Sequence, residues 1–180
     1  MGIKISRISG GFWLAMALLM LALPLNWLLA AVVAAVFHEL CHYLAIRICC
    51  GKGTELSIYA PGARMTLPPM SRGREVVCAL AGPLGGLLLL LFARWIPRVA
   101  VCAGMQSLFN LLPVYPLDGG RVLQSLLSIF CRPPVCRMLC RCIAAICRVS
   151  ICILAIYATF WLRLGIFPIL LAGLLLLRAK

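Results

Sequence analysis

Ala35-Val36-Phe37-His38-Glu39-Leu40-Cys41-His42-Tyr43-Leu44-Ala45 is the stretch from which the rest of the chain can be read. It holds two histidines four residues apart with a glutamate directly after the first. On a helix, positions i and i+4 share one face, so both imidazoles can reach one metal ion. The stretch lies inside an apolar run, residues 27–48, long enough to cross a bilayer. Ionisable groups inside a span are costly and usually functional. Here three fall within five residues. A purely structural polar cluster between helices is the competing reading.

The surroundings make a membrane setting the default. Of 180 residues, 64% are hydrophobic and only 12% are charged. Soluble domains carry roughly 45–50% apolar and about 25% charged residues. Too little polar surface exists to coat a soluble monomer, and disorder is excluded by the same numbers. Seventeen Lys and Arg against four Asp and Glu give a net charge of +13. The cations flank apolar runs, as membrane topology requires, which argues against nucleic acid as a partner. The eleven cysteines are odd in number and several lie within apolar runs. They read as small hydrophobes, not as a disulfide framework.

Six apolar runs can be drawn, at 12–23, 27–48, 76–92, 99–117, 143–161 and 164–177. With the N-terminus in the cytoplasm, fourteen Lys and Arg fall inside and only Arg94, Arg98 and Arg163 fall outside. The expected fold is therefore an all-α polytopic membrane protein of about six transmembrane helices, both termini cytoplasmic. The whole chain, 1–180, reads as one membrane-embedded domain with a core at 27–130 and C-terminal helices at 131–180. Between the second and third runs, Glu55-Leu56-Ser57-Ile58-Tyr59-Ala60 alternates polar and apolar, Pro61-Gly62 turns, and Ala63-Arg64-Met65-Thr66-Leu67 alternates again. That is the signature of a small cytoplasmic-side β-hairpin. Residues 133–152 have helical periodicity, with Arg137, Arg141 and Arg148 on one stripe and Cys136, Cys140 and Cys147 beside it. A basic stripe at a membrane surface suits the anionic headgroups of the lipid bilayer.

The chemistry must come from a short list. His38 and His42 are the only histidines, and Glu39, Glu55, Glu75 and Asp118 are the only acids. Zinc held by both histidines lowers the pKa of a bound water, and Glu39 is near enough to take its proton. A catalytic zinc site also needs a third protein ligand, and the list leaves Glu55, Glu75 and Asp118. Glu55 and Glu75 lie in or beside the polar loop. Asp118 closes the fourth apolar run, three residues before Arg121, while His42 lies five residues before Arg47. Both therefore sit at roughly 5–10 Å depth from the same cytoplasmic face. A plain turn residue before Gly119-Gly120 is the alternative for Asp118.

Together, His38-Glu39-Leu40-Cys41-His42 and Asn110-Leu111-Leu112-Pro113-Val114-Tyr115-Pro116-Leu117-Asp118-Gly119-Gly120 resemble the site-2 protease family of intramembrane zinc metalloproteases. Ala81-Gly82-Pro83-Leu84-Gly85-Gly86 resembles that family's Gly-Pro motif, and the resemblance covers about residues 27–130. Asn110 is followed by Leu111 where the family commonly has proline. The resemblance implies that His38, His42 and Asp118 ligate one Zn2+ per chain, that Glu39 is the general base, and that Asn110 binds substrate. It implies a multi-pass protein of a bacterial cytoplasmic membrane that cleaves membrane-associated protein substrates, under an inhibitory or regulatory membrane protein. The expectation is accordingly a single domain with no PDZ or CBS domain. The compact form resembles the sporulation branch, which processes a sigma-factor precursor. The rival expectation is a membrane zinc-binding protein or metal transporter without peptidase activity.

Overall fold

The computed structural model describes residues 4–8, 24–51, 55–59, 62–66, 69–161 and Gly173. Its elements in chain order are β1 (Lys4–Ile8), α1 (Leu25–Cys50), β2 (Glu55–Tyr59), β3 (Gly62–Thr66), α2 (Arg72–Leu88), α3 (Pro97–Asn110), α4 (Asp118–Phe130) and α5 (Pro133–Phe160). A 3₁₀ turn, Leu89–Phe92, prolongs α2. Contacts divide the chain into two compact units, residues 1–109 and 110–180.

In the first unit, α1 is 26 residues long, or about 39 Å. It stops at Gly51, whose φ of 65° is left-handed and whose N–H donates to Arg47 O at 2.9 Å. Its buried face follows the i+4 row Ala30, Ala34, His38, His42, Ile46. Its exposed face is made of large aliphatics, among them Leu29, Val33, Val36, Leu40, Leu44 and Ile48. Small and polar residues inside with large apolar residues outside is the pattern of a lipid-facing helix, since lipid is as apolar as leucine. The neighbouring α2 repeats it: its buried residues are Cys78, Ala79, Gly82, Pro83, Gly85 and Gly86. Gly85 backs onto Cys41 of α1, and Gly86 onto Ser107 of α3. α2 is thus a thin spacer that lets two other helices approach its backbone closely.

β2 and β3 pair antiparallel, with Glu55 opposite Thr66 and Tyr59 opposite Gly62. β1 lies parallel to β2 and completes a sheet of order β1-β2-β3, with a register irregularity between Ile5 and Arg7. The sequence reading contained no strand at β1.

The second unit holds Asn110, a non-helical segment at residues 111–117, and the helices α4 and α5. Cys136 at the start of α5 donates its thiol to Gln124 O of α4 at 3.6 Å. Pro133 and Pro134 occupy the first helical positions of α5, where no N–H is needed.

Three helices among the described residues are long and apolar enough to cross a membrane: Leu25–Cys50, Arg72–Phe92 and Pro133–Phe160. Two of the six expected runs, 12–23 and 164–177, lie outside the described residues apart from Gly173. The run at 99–117 departs from expectation. Its helix is only 14 residues, about 21 Å, against a hydrocarbon core of about 30 Å. Pro113 and Pro116 supply no N–H and bias the residue before them away from helix. Asp118, expected at the end of that run, instead opens a separate helix. The basic stripe and the run at 143–161 merge into the 28-residue α5.

Candidate metal centre

α1 places both histidines. His38 and His42 are 3% and 7% exposed. Their rings meet edge to face with centroids 4.7 Å apart, and their Nε2 atoms are 3.1 Å apart. His42 is oriented from α2: its Nδ1 lies 2.7 Å from the carbonyl oxygen of Cys78. A carbonyl only accepts, so Nδ1–H donates. The neutral ring then keeps its lone pair on Nε2, the atom turned toward His38. A backbone carbonyl on the far nitrogen is the usual support of a metal-binding histidine. Two nitrogens bound tetrahedrally at about 2.0–2.1 Å from zinc stand about 3.3 Å apart. The observed spacing is close to that.

Gly82 explains why α2 can come so near. A Cβ there would overlap His42 Nε2 and lie 2.7 Å from Cδ2 and Cε1. The Ala81–Gly86 motif therefore has a packing role against the imidazole itself. Glu39, next to His38 on α1, is half-buried.

Asp118 is built differently. It is the first residue of α4 and 9% exposed. A carboxylate is favoured in the first turn by the unpaired N–H groups and the helix dipole. The two glycines after it admit the preceding segment. A Cβ at Gly119 would overlap Leu111 O and lie 2.6 Å from Leu112 O, and one at Gly120 would lie 2.5 Å from Tyr115 N. The segment is pinned by its own hydrogen bonds, Val114 N–H to Leu112 O at 2.8 Å and Leu117 N–H to Val114 O at 2.9 Å. The Tyr115–Pro116 peptide is cis.

Among the described residues, His38, His42 and Asp118 form a group of possible metal ligands, one ligand atom from each, all within 4.8 Å of one another. Two imidazoles and a carboxylate are a donor set that suits zinc and leaves a coordination position open. The remaining acids are placed elsewhere. Glu75 pairs with Arg72 at 3.1 Å, and Glu55 lies in β2, whose side chains fall outside the description. Asn110 is the half-buried last residue of α3. Sequence reasoning missed the Cys78 carbonyl and the steric reason for Gly82, Gly119 and Gly120. Only the glycines carried a signal, as small residues next to ligands or on a facing span.

The fold is similar to the solved structure of the Site-2 Protease from Methanocaldococcus jannaschii. The TM-score is 0.65 at 22% identity, covering 93% of this chain and 84% of that one. No protein-family model matches the chain, and neither does any curated protein. At that identity the likeness is one of fold: a site-2-protease-like membrane protein with a metal-capable His-His-Asp group.

Proposed function

We propose that the chain is an intramembrane zinc metalloendopeptidase that cleaves membrane-associated proteins near the cytoplasmic face. The observation that carries the reading is the grouping of His38, His42 and Asp118, with Glu39 beside His38 on a membrane-length helix. The fold likeness supports it.

His38, His42 and Asp118 would hold one zinc ion per chain. Bound there, zinc supplies a Lewis acid that polarises the scissile carbonyl and acidifies water. Glu39 takes a proton from the attacking water and returns it to the leaving amine. Cys78 holds His42 in the required tautomer throughout. Asn110 positions the substrate backbone with its side-chain amide. A helical substrate shields its own peptide bonds, so it must unwind locally. Among the described residues the outer strand β3 is paired on one side only, and such an edge suits strand addition by the unwound segment.

Orientation follows from charge. The α1–α2 connection and the helix ends that flank it carry Arg47, Lys52, Arg64, Arg72 and Arg74, while the α2–α3 connection and the start of α3 carry only Arg94 and Arg98. The positive-inside rule puts the first in the cytoplasm, and His42 with it. Nothing in the fold or the comparisons points to sporulation, so the proposal stops at membrane-associated proteins as the substrate class.

The test uses full-length protein in proteoliposomes with a panel of transmembrane substrates. Mass spectrometry reads new peptide ends. Cleavage that vanishes on chelation and returns with zinc supports the reading. Bound zinc with no cleavage of any substrate points to a zinc-binding protein or transporter instead.

A further inference from the structure

Two of the eleven cysteines form a pair in the second unit that the proposed reaction does not use. Cys136 and Cys140 stand four residues apart on α5, hence on one face. Their side chains are hydrogen-bonded to each other, and Cys136 donates its own proton to Gln124 O of α4 at 3.6 Å. A thiol has one proton, so Cys140 is the donor within the pair. The two sulfurs therefore converge on each other and do more than share a stripe. Cys136 is 5% exposed. Cys140 is half-buried and lines a cleft of about 180 Å³ together with Pro113, Tyr115 and Gln124. The pair thus has one buried end and one end open to an entering ion.

We propose that Cys136 and Cys140 bind one copper(I) ion through both thiolates, releasing their two protons as the ion enters from the cleft. Helix geometry decides between a metal and a disulfide. Positions i and i+4 hold their Cβ atoms about 5–6 Å apart, whereas a disulfide needs about 3.5–4.5 Å. α5 runs unbroken from Pro133 to Phe160, so a disulfide would distort it. An ion lengthens the bridge: with metal–sulfur bonds of about 2.3 Å, two thiolates across it stand up to about 4.6 Å apart. Ligand count then decides between metals. Thiolates select copper(I), zinc and iron–sulfur clusters. Structural zinc takes four ligands, and iron–sulfur clusters are held by four cysteines. Among the described residues, His38, His42 and Asp118 are the one group of three or more His, Cys, Asp or Glu that can share an ion. No third ligand of those types therefore joins the two thiols. Copper(I), a closed-shell ion, is satisfied by two thiolates in line. Arg141 lines the same cleft as Cys140, which sets a cation near the net negative charge of a bis-thiolate copper(I) complex.

The experiment measures copper binding, so it stands apart from the protease reading. Full-length protein in detergent is reduced, desalted without oxygen and titrated with copper(I) against an excess of the chromophoric chelator bicinchoninate, which strips weakly held ion. One copper(I) per chain should resist the chelator, and X-ray absorption at the copper edge should show two sulfur neighbours and no nitrogen. Cys136→Ser with Cys140→Ser should abolish that equivalent. Cys142→Ser with Cys152→Ser removes as many thiols from the same helix, at positions about 15 Å apart along it, and should leave the equivalent in place. His42→Ala should leave it in place as well, because the imidazoles take no part. Cys140→Ser alone serves where the double variant does not fold, since Cys140 borders the cleft and leaves the Cys136 bond to Gln124 intact. It should weaken binding by more than the roughly 10–100-fold typical of losing a residue that only supports a ligand. Three results would overturn the proposal: no copper(I) held against the chelator, a tight equivalent that survives loss of both Cys136 and Cys140, or an equal loss from the Cys142 and Cys152 variant or from His42→Ala.

Discussion

The two contributions to the metal group are held by different physics. His38 and His42 stand on an uninterrupted 26-residue helix, and their spacing follows from helical geometry alone. Asp118 stands where a non-helical segment turns into α4, and its place depends on backbone packed against backbone at Gly119 and Gly120. A helix tolerates change at any one neighbour because every residue shares the same hydrogen-bonding pattern. A segment threaded against a helix terminus has no such redundancy. The first arrangement should therefore survive perturbation as a fold and fail only as a ligand. The second should fail as both.

The largest effect is expected from the ligands themselves. His42→Ala should lower bound zinc, read by plasma mass spectrometry, from one per chain to below about a tenth. Cleavage should fall by more than the roughly 10–100-fold typical of losing a residue that only supports a ligand. The helical circular dichroism should stay unchanged, because α1 needs no metal to form. Loss of helix in this variant would break the comparison. Asp118→Asn should cost zinc in the same way and keep the shape of the side chain.

The glycines sharpen the contrast. Gly82→Ala pushes a methyl group into the His42 ring, which can tilt. Its main cost should be zinc affinity, by about 10–100-fold, with a small change in melting temperature. Gly119→Ala pushes into the carbonyls of Leu111 and Leu112, which cannot yield without moving the chain. Overpacking of that kind typically costs about 1–3 kcal/mol, so the melting temperature in detergent should drop clearly. The reverse ranking in melting temperature would contradict the distinction between a ring neighbour and a backbone neighbour. At the small end, Glu75→Gln breaks only the Arg72 pair, in which the Arg72 side chain is 61% exposed. Exposed pairs contribute about 0–1 kcal/mol, so stability and zinc content should both stay within error. A large loss of zinc there would implicate Glu75 in place of Asp118.

The same contrast explains what could be read from the sequence. The histidine pair was legible because a 3.6-residue period and an apolar run are both visible as letters. α5 was half-legible. Its basic stripe and its apolar run were separated on paper, yet no Gly or Pro lies between Val135 and Phe160 to end the helix, so the two became one. The segment from 111 to 117 was not legible as a turn. Its composition is apolar, and apolarity suggested a longer helix, whereas Pro113 and Pro116 govern the backbone. The Cys78 carbonyl that orients His42 was invisible for a simpler reason: every residue has a carbonyl, and only tertiary packing chooses one.

Glu39 gives the most direct test of the central claim, because it separates holding a metal from using it. In purified full-length protein, Glu39→Gln should keep one zinc per chain, since the carboxylate is a base and not a ligand. Its cleavage rate on a membrane substrate should fall by about 10²–10⁴-fold, the usual range for losing a general base. Full cleavage with full zinc would show that Glu39 moves no proton and would contradict the account.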